Sequence, residues 1–257
     1  MYACSNPANI GPYSQSVIVN GSGFIAGQIG LIPCKLELPE CESEEKSLAS
    51  ETKLSLHSLE NIVSVLPFNM KNDAVYCTCY VTKPTYFAYA QEEWEKIMSP
   101  SIPVNFVCIP NLPKNAKVEW QLILYNKNND LTVYTDEEEL ELELELDNII
   151  DNETNVNYDK RRDLIEYKFE EVYNNNYEVK TQGIRKMNVF HFVSSINLKS
   201  EVYNEETLET IANGLFNGLS EGIKSLHIKE NAIQLKIFYL DSTPRTVIQK
   251  GIVYESL

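Results

Sequence analysis

The sequence predicts an α+β fold whose first half has the element order ββαβαββ. Two observations support this prediction. Two short apolar runs near the start are separated and interrupted by glycines, and two later segments repeat apolar residues every three or four positions. A chain of 257 residues is long enough for about two domains, and a hydrophobic content of 43% is sufficient for cores.

The first two strands are predicted to form a β-hairpin. Residues 11–15 begin with Gly-Pro, which favours a turn, and the Gly-Ser-Gly at residues 21–23 is predicted to reverse the chain within the segment 16–32. Gly27 and Gly30 interrupt the second apolar run. Glycine inside a strand is typical of a bulge or of a place where a ligand or another backbone comes close. From these two glycines alone, a bulge that only aids packing is the better interpretation.

Two helices and three strands are predicted to follow the hairpin. The first helix is indicated by leucine, isoleucine and valine at three- and four-residue steps, and Thr85 is placed to cap the second. Cys77 and Cys79 lie two residues apart on one strand face, where small buried side chains are a better interpretation than a reactive thiol pair. The predicted elements are a helix at 44–66, a strand at 72–81, a helix from 84–85 to before residue 100, and strands at 105–109 and 117–125.

Charge and cysteine pattern exclude several classes of function. A formal charge of −15 argues against a nucleic-acid surface and against an anionic membrane surface. No apolar run reaches the roughly 18 residues of a membrane span, and no basic and apolar leader is visible. We therefore expect a cytoplasmic protein with reduced thiols, and the cysteines lack the partners of a metal site.

Several short motifs occur in a fixed order along the first half of the chain. They are G-P-Y-S-Q at residues 11–15, A-G-Q-I-G at 26–30, I-P-V-N-F-V at 102–107, L-P at 112–113 and K-V-E at 117–119. Together they resemble the RidA family, also called YjgF. The resemblance covers residues 5–127, and the first domain is predicted at residues 1–127. It implies a RidA/YjgF-like, chorismate-mutase-like curved sheet covered by two helices, usually assembled as a homotrimer with ligand clefts between subunits. Many members hydrolyse reactive imines and enamines.

The resemblance also implies a site, and this sequence departs from it. A family deaminase needs an arginine to clamp the substrate carboxylate and a carboxylate to position water. Glu119 matches the carboxylate and is the candidate catalytic residue, whereas Val104 occupies the arginine position and cannot hold a carboxylate. We therefore expect Glu119 to be a hydrogen-bonding residue rather than a catalyst. The cleft residues implied by the resemblance are Tyr13, Gly27, Gln28, Gln91, Asn105 and Glu119, with no metal.

The second half of the chain is predicted to contain a junction and a degenerate copy of the first unit. Residues 128–163 form the junction, within which Glu139–Asp147 alternates Glu and Leu and predicts an acidic edge strand, while 151–162 reads as a linker. Residues 164–257 form the copy, with RidA-like order but without the motif residues. Its predicted elements are a strand at 190–198, a helix at 205–226, a strand at 231–239 and a short tail strand.

Two such units in one chain resemble the C-terminal region of fungal diphthine–ammonia ligases, which amidate diphthine on translation elongation factor two with ATP and ammonium. The resemblance implies ATP for an ATP-binding domain of the parent enzyme, with that domain and the elongation factor as partners. Neither an S-G-G-x-D-S-type loop nor a P-loop occurs here, so no cofactor is expected in this chain.

Two hypotheses of function follow from the sequence. The first is a non-catalytic region of such a ligase that oligomerises it or holds its substrate. The second is an imine deaminase with an altered clamp, which the loss of the arginine position disfavours. For assembly, either a homotrimer or an intramolecular pseudo-oligomer of the two units is expected.

Overall fold

Residues 6–98, 102–129, 156–159, 164–173, 177–186, 189–198 and 205–225 are described by the structure, a computed structural model. The chain divides into two units, Met1–Tyr134 and Thr135–Leu257.

The first unit is built on a five-stranded mixed sheet. Its elements are β1 (Ser16–Val19), β2 (Ser22–Ile29), α1 (Glu44–Ser64), α2 (Met70–Asp73), β3 (Ala74–Val81), α3 (Phe87–Ile97), β4 (Val104–Cys108) and β5 (Val118–Tyr125). The strand order is β1-β2-β5-β3-β4, and neighbouring strands are antiparallel except β3 and β4, which are parallel because a helical connection returns the chain to the same end of the sheet. The predicted ββαβαββ order is therefore confirmed, with the single turn α2 added before β3.

The hairpin turn between β1 and β2 is tighter than predicted. Val19 pairs directly with Ser22, so the loop contains only Asn20 and Gly21, and residues 22–23 already belong to β2. The φ angles of Asn20 and Gly21 are 46° and 73°. Positive φ at both loop residues is the geometry of the two-residue turns that match strand twist, and Asn-Gly adopts it with little strain.

The helices α1 and α3 of the first unit begin differently. In α1, the Oγ of Ser43 accepts a hydrogen bond of 3.3 Å from the N–H of Lys46, which satisfies one free donor of the first turn. The predicted cap by Thr85 is wrong, because a 3₁₀ turn at Pro84–Tyr86 leads directly into α3 and no side chain caps that helix. Backbone bonds within the 3₁₀ turn take the place of the cap.

The core of the first unit lies between the sheet and its helices. Trp94 of α3 stacks on Trp120 of β5, with ring centroids 5.4 Å apart, and both side chains are buried. Cys77 and Cys79 are fully buried on the same side of the sheet, and burial raises the pKa of both thiols well above the ordinary value. Packing rather than thiol chemistry is therefore their role.

The second unit contains a four-stranded antiparallel sheet and one described helix. The elements are β6 (Val156–Asp159), β7 (Leu164–Tyr173), β8 (Tyr177–Lys186), β9 (Val189–Leu198) and α4 (Glu205–Ser225), and the strand order is β6-β7-β8-β9. The predicted strand at 190–198 and helix at 205–226 are confirmed as β9 and α4. The linker prediction is wrong at β6, which falls within 151–162, and β7 and β8 were not predicted.

Aromatic packing joins the helix of the second unit to its sheet. The rings of Tyr167 and Phe192 are 6.4 Å apart, and Gly183 and Gly222 leave room for the Phe192 ring, which a Cβ at Gly183 would approach to 2.3 Å. The order β8, β9, α4 is the same hairpin-then-helix order as β1, β2, α1, and the degenerate copy at residues 164–257 stays a prediction. The predicted acidic strand Glu139–Asp147, the strand at 231–239 and the tail lie outside the described residues.

No helix within the described ranges is long and apolar enough to span a bilayer.

Candidate ligand cleft

A cleft of about 280 Å³ lies in the first unit, between the N-terminal segment and the start of β5. Its walls come from residues 7–15, from the end of β2 and the residues after it, from Pro113, and from β5. The volume is near the lower end of small-molecule sites, which indicates a ligand of few atoms. The polar side chains that line the cleft are Asn9, Tyr13, Gln15, Gln28, Glu119 and Gln121.

Strand alternation places Glu119 and Gln121 in the cleft. Trp120 between them packs against α3, so its two neighbours on β5 point to the opposite face of the sheet. Tyr80 of β3 pairs with Glu119 and donates a hydrogen bond of 3.4 Å from its hydroxyl to the Oε1 of Gln121. At this end of β5, the face of the sheet away from α3 is therefore polar.

A bulge in β2 makes room for the Glu119 carboxyl group. The register between β2 and β5 shifts between Ile25 and Gln28, so Ala26 and Gly27 leave the regular ladder. A Cβ at Gly27 would lie 2.0 Å from the Oε1 of Glu119. Any larger residue at position 27 would displace the carboxyl group, which gives this glycine a role in the cleft beyond packing.

The carboxyl group of Glu119 is half-buried, and burial raises its pKa above the ordinary value of 4.5. It accepts no hydrogen bond from any part of the chain that the structure describes. The carboxyl group also contributes, after burial, to raising the pKa of Tyr80. A desolvated carboxyl group that lacks a partner inside a cleft is a candidate ligand contact.

Three amide side chains of the cleft donate to nearby backbone carbonyls. The Nδ2 of Asn9 donates to the carbonyl of Tyr13, and the Nε2 of Gln15 donates to the carbonyl of Pro7 at 2.7 Å. Because a carbonyl oxygen only accepts, these bonds establish which end of each amide is the NH₂ group.

Gln28 donates both of its amide hydrogens to backbone carbonyls. Its Nε2 donates to the carbonyl of Ala26 at 2.9 Å and to that of Gly27 at 3.2 Å, and the side chain is buried. The bonds stabilise the bulge and leave the Oε1 of Gln28 as its remaining polar group.

The electrostatics of the cleft are set by one group. Among the described residues that line it, Glu119 carries the only formal charge, and none is lysine, arginine or histidine. Within the described ranges, no cluster of three or more His, Cys, Asp or Glu side chains could hold a metal ion. A carboxylate ligand would find no cation here to balance its charge.

The structure brings together four of the six cleft residues expected from sequence, namely Tyr13, Gly27, Gln28 and Glu119. Gln91 lies on α3, behind the opposite face of the sheet, and donates a hydrogen bond to Glu95. Asn105 pairs with Thr78 and is separated from β5 by strand β3, a distance of about 10 Å across two strand spacings. Neither lines this cleft within one chain.

Val104, at the position of the family arginine, lies on β4 next to Asn105 and pairs with Cys77. It does not line the cleft of its own chain. Sequence reasoning missed Asn9, Gln15 and Gln121. Gln15 belongs to the G-P-Y-S-Q motif and Gln121 alternates with Glu119, so both signals were present, whereas nothing in the sequence distinguishes Asn9.

A buried ion pair supports the end of β5 that carries Glu119. Glu51 of α1 is fully buried, and its carboxylate accepts from the backbone N–H of Lys117 at 2.7 Å and from the Lys117 ammonium at 3.0 Å. Ser47 donates to the same carboxylate at 2.8 Å. A Cβ at Gly30 would come within 2.4 Å of the Glu51 backbone, so α1 lies directly on the chain after β2.

A mixed five-stranded sheet covered by helices, with a small polar cleft on the face away from α3, defines an α+β domain with a candidate ligand cleft. A family model described as Endoribonuclease L-PSP matches residues 4–125. A RutC family protein of Pyrococcus abyssi is 30% identical over 122 residues, which are 47% of this chain and 91% of that protein. The chain therefore belongs to the RidA/YjgF family through its first unit.

Two further proteins are similar over the same region. The diphthine–ammonia ligase of Schizosaccharomyces pombe is 37% identical over 123 residues, which are 48% of this chain and 19% of the ligase. The chain thus matches only a small part of that enzyme. The crystal structure of RidA from an Antarctic Psychrobacter is 28% identical, covers 48% of this chain and 96% of its own, and has a TM-score of 0.43.

Proposed function

We propose that this chain is a non-catalytic, substrate-holding region of a diphthine–ammonia ligase. The observation that carries the proposal is a cleft that contains Glu119 but no cationic side chain among its described lining residues. Without a guanidinium or ammonium group, the cleft has no clamp for the carboxylate of an amino-acid-derived imine. The link to the ligase is supported by the 37% identity to the S. pombe enzyme.

In such a ligase the amidation of diphthine on translation elongation factor two would use ATP bound by a separate domain. The RidA-like region would then act by holding a small ligand or by bringing ligase chains together. Both roles need the first unit to be folded, and only the first role needs the cleft.

An imine hydrolysis assay tests the absence of catalysis. We expect the chain to release no ammonia above background from freshly generated 2-aminoacrylate, because the substrate carboxylate has no cation to bind. Turnover that disappears in Glu119→Ala but persists in Glu45→Ala, which alters an exposed carboxylate of α1, would overturn this part of the proposal.

A domain exchange tests the link to the ligase. The matching region of the S. pombe ligase is replaced by residues 4–125 of this chain, and diphthamide on the elongation factor is measured by mass spectrometry. We expect amidation to be retained in the exchanged ligase and lost when the region is deleted. Equal amidation by the deletion and the exchange would contradict the proposal.

A deaminase with an altered clamp is the second candidate, and one observation favours it. Burial raises the pKa of the Glu119 carboxyl group. A carboxyl group with a raised pKa is better suited to act as a general acid or base at neutral pH. The imine assay distinguishes the two candidate functions, because only a deaminase is expected to release ammonia from an imine.

A further inference from the structure

Three of the four amide side chains that line the cleft direct hydrogens to the protein backbone. Asn9, Gln15 and Gln28 each commit amide hydrogens to backbone carbonyls, and Gln28 commits both. The oxygens of these amides have no hydrogen-bond donor in the described part of the chain. Each of these three side chains therefore leaves its amide oxygen as an acceptor for a ligand, whereas Gln121, whose Oε1 accepts from Tyr80, leaves its NH₂ group.

Glu119 adds a carboxylate to this set of acceptors. Its carboxyl group is half-buried, accepts no hydrogen bond within the described ranges, and occupies the space that Gly27 leaves open. Among the described lining residues no opposite charge balances it. A ligand that carries both a positive charge and several N–H donors would satisfy Glu119 and the amide oxygens together.

We propose that this cleft binds a small primary ammonium ion, with the ammonium group on Glu119, and rejects carboxylates. The inference rests on the proposed ligand-holding role of the cleft. A cleft that prefers cations has the opposite charge preference to a cleft with an arginine clamp, which would bind carboxylates. The volume of about 280 Å³ limits the ligand to a small molecule, and the apolar walls from Ile29, Leu31 and Pro113 fit a short alkyl chain.

Three probes of nearly equal size but different charge test the proposal: propylammonium, propionamide and propionate. Each is titrated into the full-length chain at pH 7 and constant ionic strength, and binding is followed by protein NMR. We expect propylammonium to shift resonances of residues at the cleft in a saturable way, with propionamide weaker and propionate without effect. Saturable binding of propionate as tight as that of propylammonium would overturn the proposal.

Two variants connect the binding to the cleft. Glu119→Gln keeps the size of the side chain and removes its charge, and we expect the propylammonium affinity to fall about tenfold or more, as for a lost charge-assisted hydrogen bond. Gly27→Ala keeps the carboxyl group but takes its space, so the affinity should fall as well. If both variants bind propylammonium like the unaltered chain, the proposal is wrong.

General attraction of cations to a chain of charge −15 needs its own control. Glu45→Gln removes the same single charge from an exposed position of α1, and we expect it to leave the affinity unchanged. An equal loss in Glu45→Gln and Glu119→Gln would show that only net charge matters and would reject the site. The titration involves no ligase, so it can fail while the domain exchange succeeds, and the two proposals are separable.

Discussion

Glu119 is the residue on which the chemistry of the cleft depends. A carboxylate that is partly removed from water and receives no hydrogen bond from the described chain carries a desolvation cost. Desolvated carboxyl groups without a hydrogen-bond donor are uncommon in folded proteins, and carboxyl groups with shifted pKa values are concentrated at functional sites. Gly27, whose missing side chain leaves space for this carboxyl group, belongs to the same arrangement.

The desolvation of Glu119 predicts how stability depends on pH. A folded-state pKa above the ordinary value of 4.5 means that the folded chain binds the proton more tightly than the unfolded chain. The cost is therefore absent below pH 4.5 and develops as the pH rises through the folded-state pKa. Glu119→Gln removes the cost, so its melting temperature should exceed that of the unaltered chain at pH 8.

The measurement is a pair of thermal melts at pH 4 and pH 8. A gain of about 1 kcal/mol would raise the melting temperature by about 2–4 °C at pH 8, and the difference should shrink towards zero at pH 4. Glu45→Gln serves as the control for an exposed carboxylate of the same chain. A melting temperature of Glu119→Gln below that of the unaltered chain at pH 8 would show that Glu119 stabilises the fold.

At the scale of elements, the cleft depends on how α1 holds the ends of two strands. The helix approaches the chain after β2 closely enough that only glycine fits at position 30. Through Glu51 it binds both the backbone and the side chain of Lys117, immediately before β5 begins. The bulge in β2 and the Glu51–Lys117 ion pair before β5 together set the position of Glu119.

Removal of Glu51 should destabilise the first unit strongly. In Glu51→Ala the Lys117 side chain, which is 22% exposed, loses its carboxylate partner and keeps only the Ser47 hydroxyl, and the Lys117 N–H loses its acceptor. Removing one partner of a buried ion pair costs about 3–5 kcal/mol. Urea unfolding of Glu51→Ala should show this loss, while Glu45→Ala should stay within about 0.5 kcal/mol of the unaltered chain. Equal midpoints for the two variants would refute the structural role of the pair.

At the scale of the whole molecule, two units share one chain. The first unit exposes an apolar patch on the cleft face of its hairpin, where Val17 and Val19 are each 50% exposed and Phe24 is 46% exposed. A contiguous apolar patch of this kind promotes association. A second unit on the same chain is present at high local concentration and can compete with other copies for such a surface.

We therefore predict that the second unit limits self-association. A chain truncated after Ile150 should form larger assemblies than the full chain at the same concentration, as measured by light scattering. Val17→Thr in the truncated chain should reduce this association if the hairpin patch drives it. A soluble truncated chain with the same oligomeric state as the full chain would contradict the idea of a pseudo-oligomer.

The sequence by itself determined the order of elements in the first unit and the identity of its key carboxylate. Local periodicity indicates α1, glycine and proline mark the turns, and the motif around Glu119 is contiguous, so none of these requires knowledge of distant contacts. The second unit was harder, because β6 lies in an asparagine-rich segment and β7 mixes charged with apolar residues. Strands of that composition owe their pairing to their neighbours more than to propensity.

Only the tertiary structure decided which residues share the cleft. It separated Gln91 and Asn105 from Glu119, because α3 lies behind the sheet and β3 intervenes, and it brought in Asn9 from the N-terminal segment. It also showed that Asn9, Gln15 and Gln28 direct amide hydrogens toward the backbone, which leaves their oxygens and the Glu119 carboxylate as acceptors in the cleft. Strand order and hydrogen-bond direction depend on contacts between segments far apart in the chain, and no local pattern of residues records them.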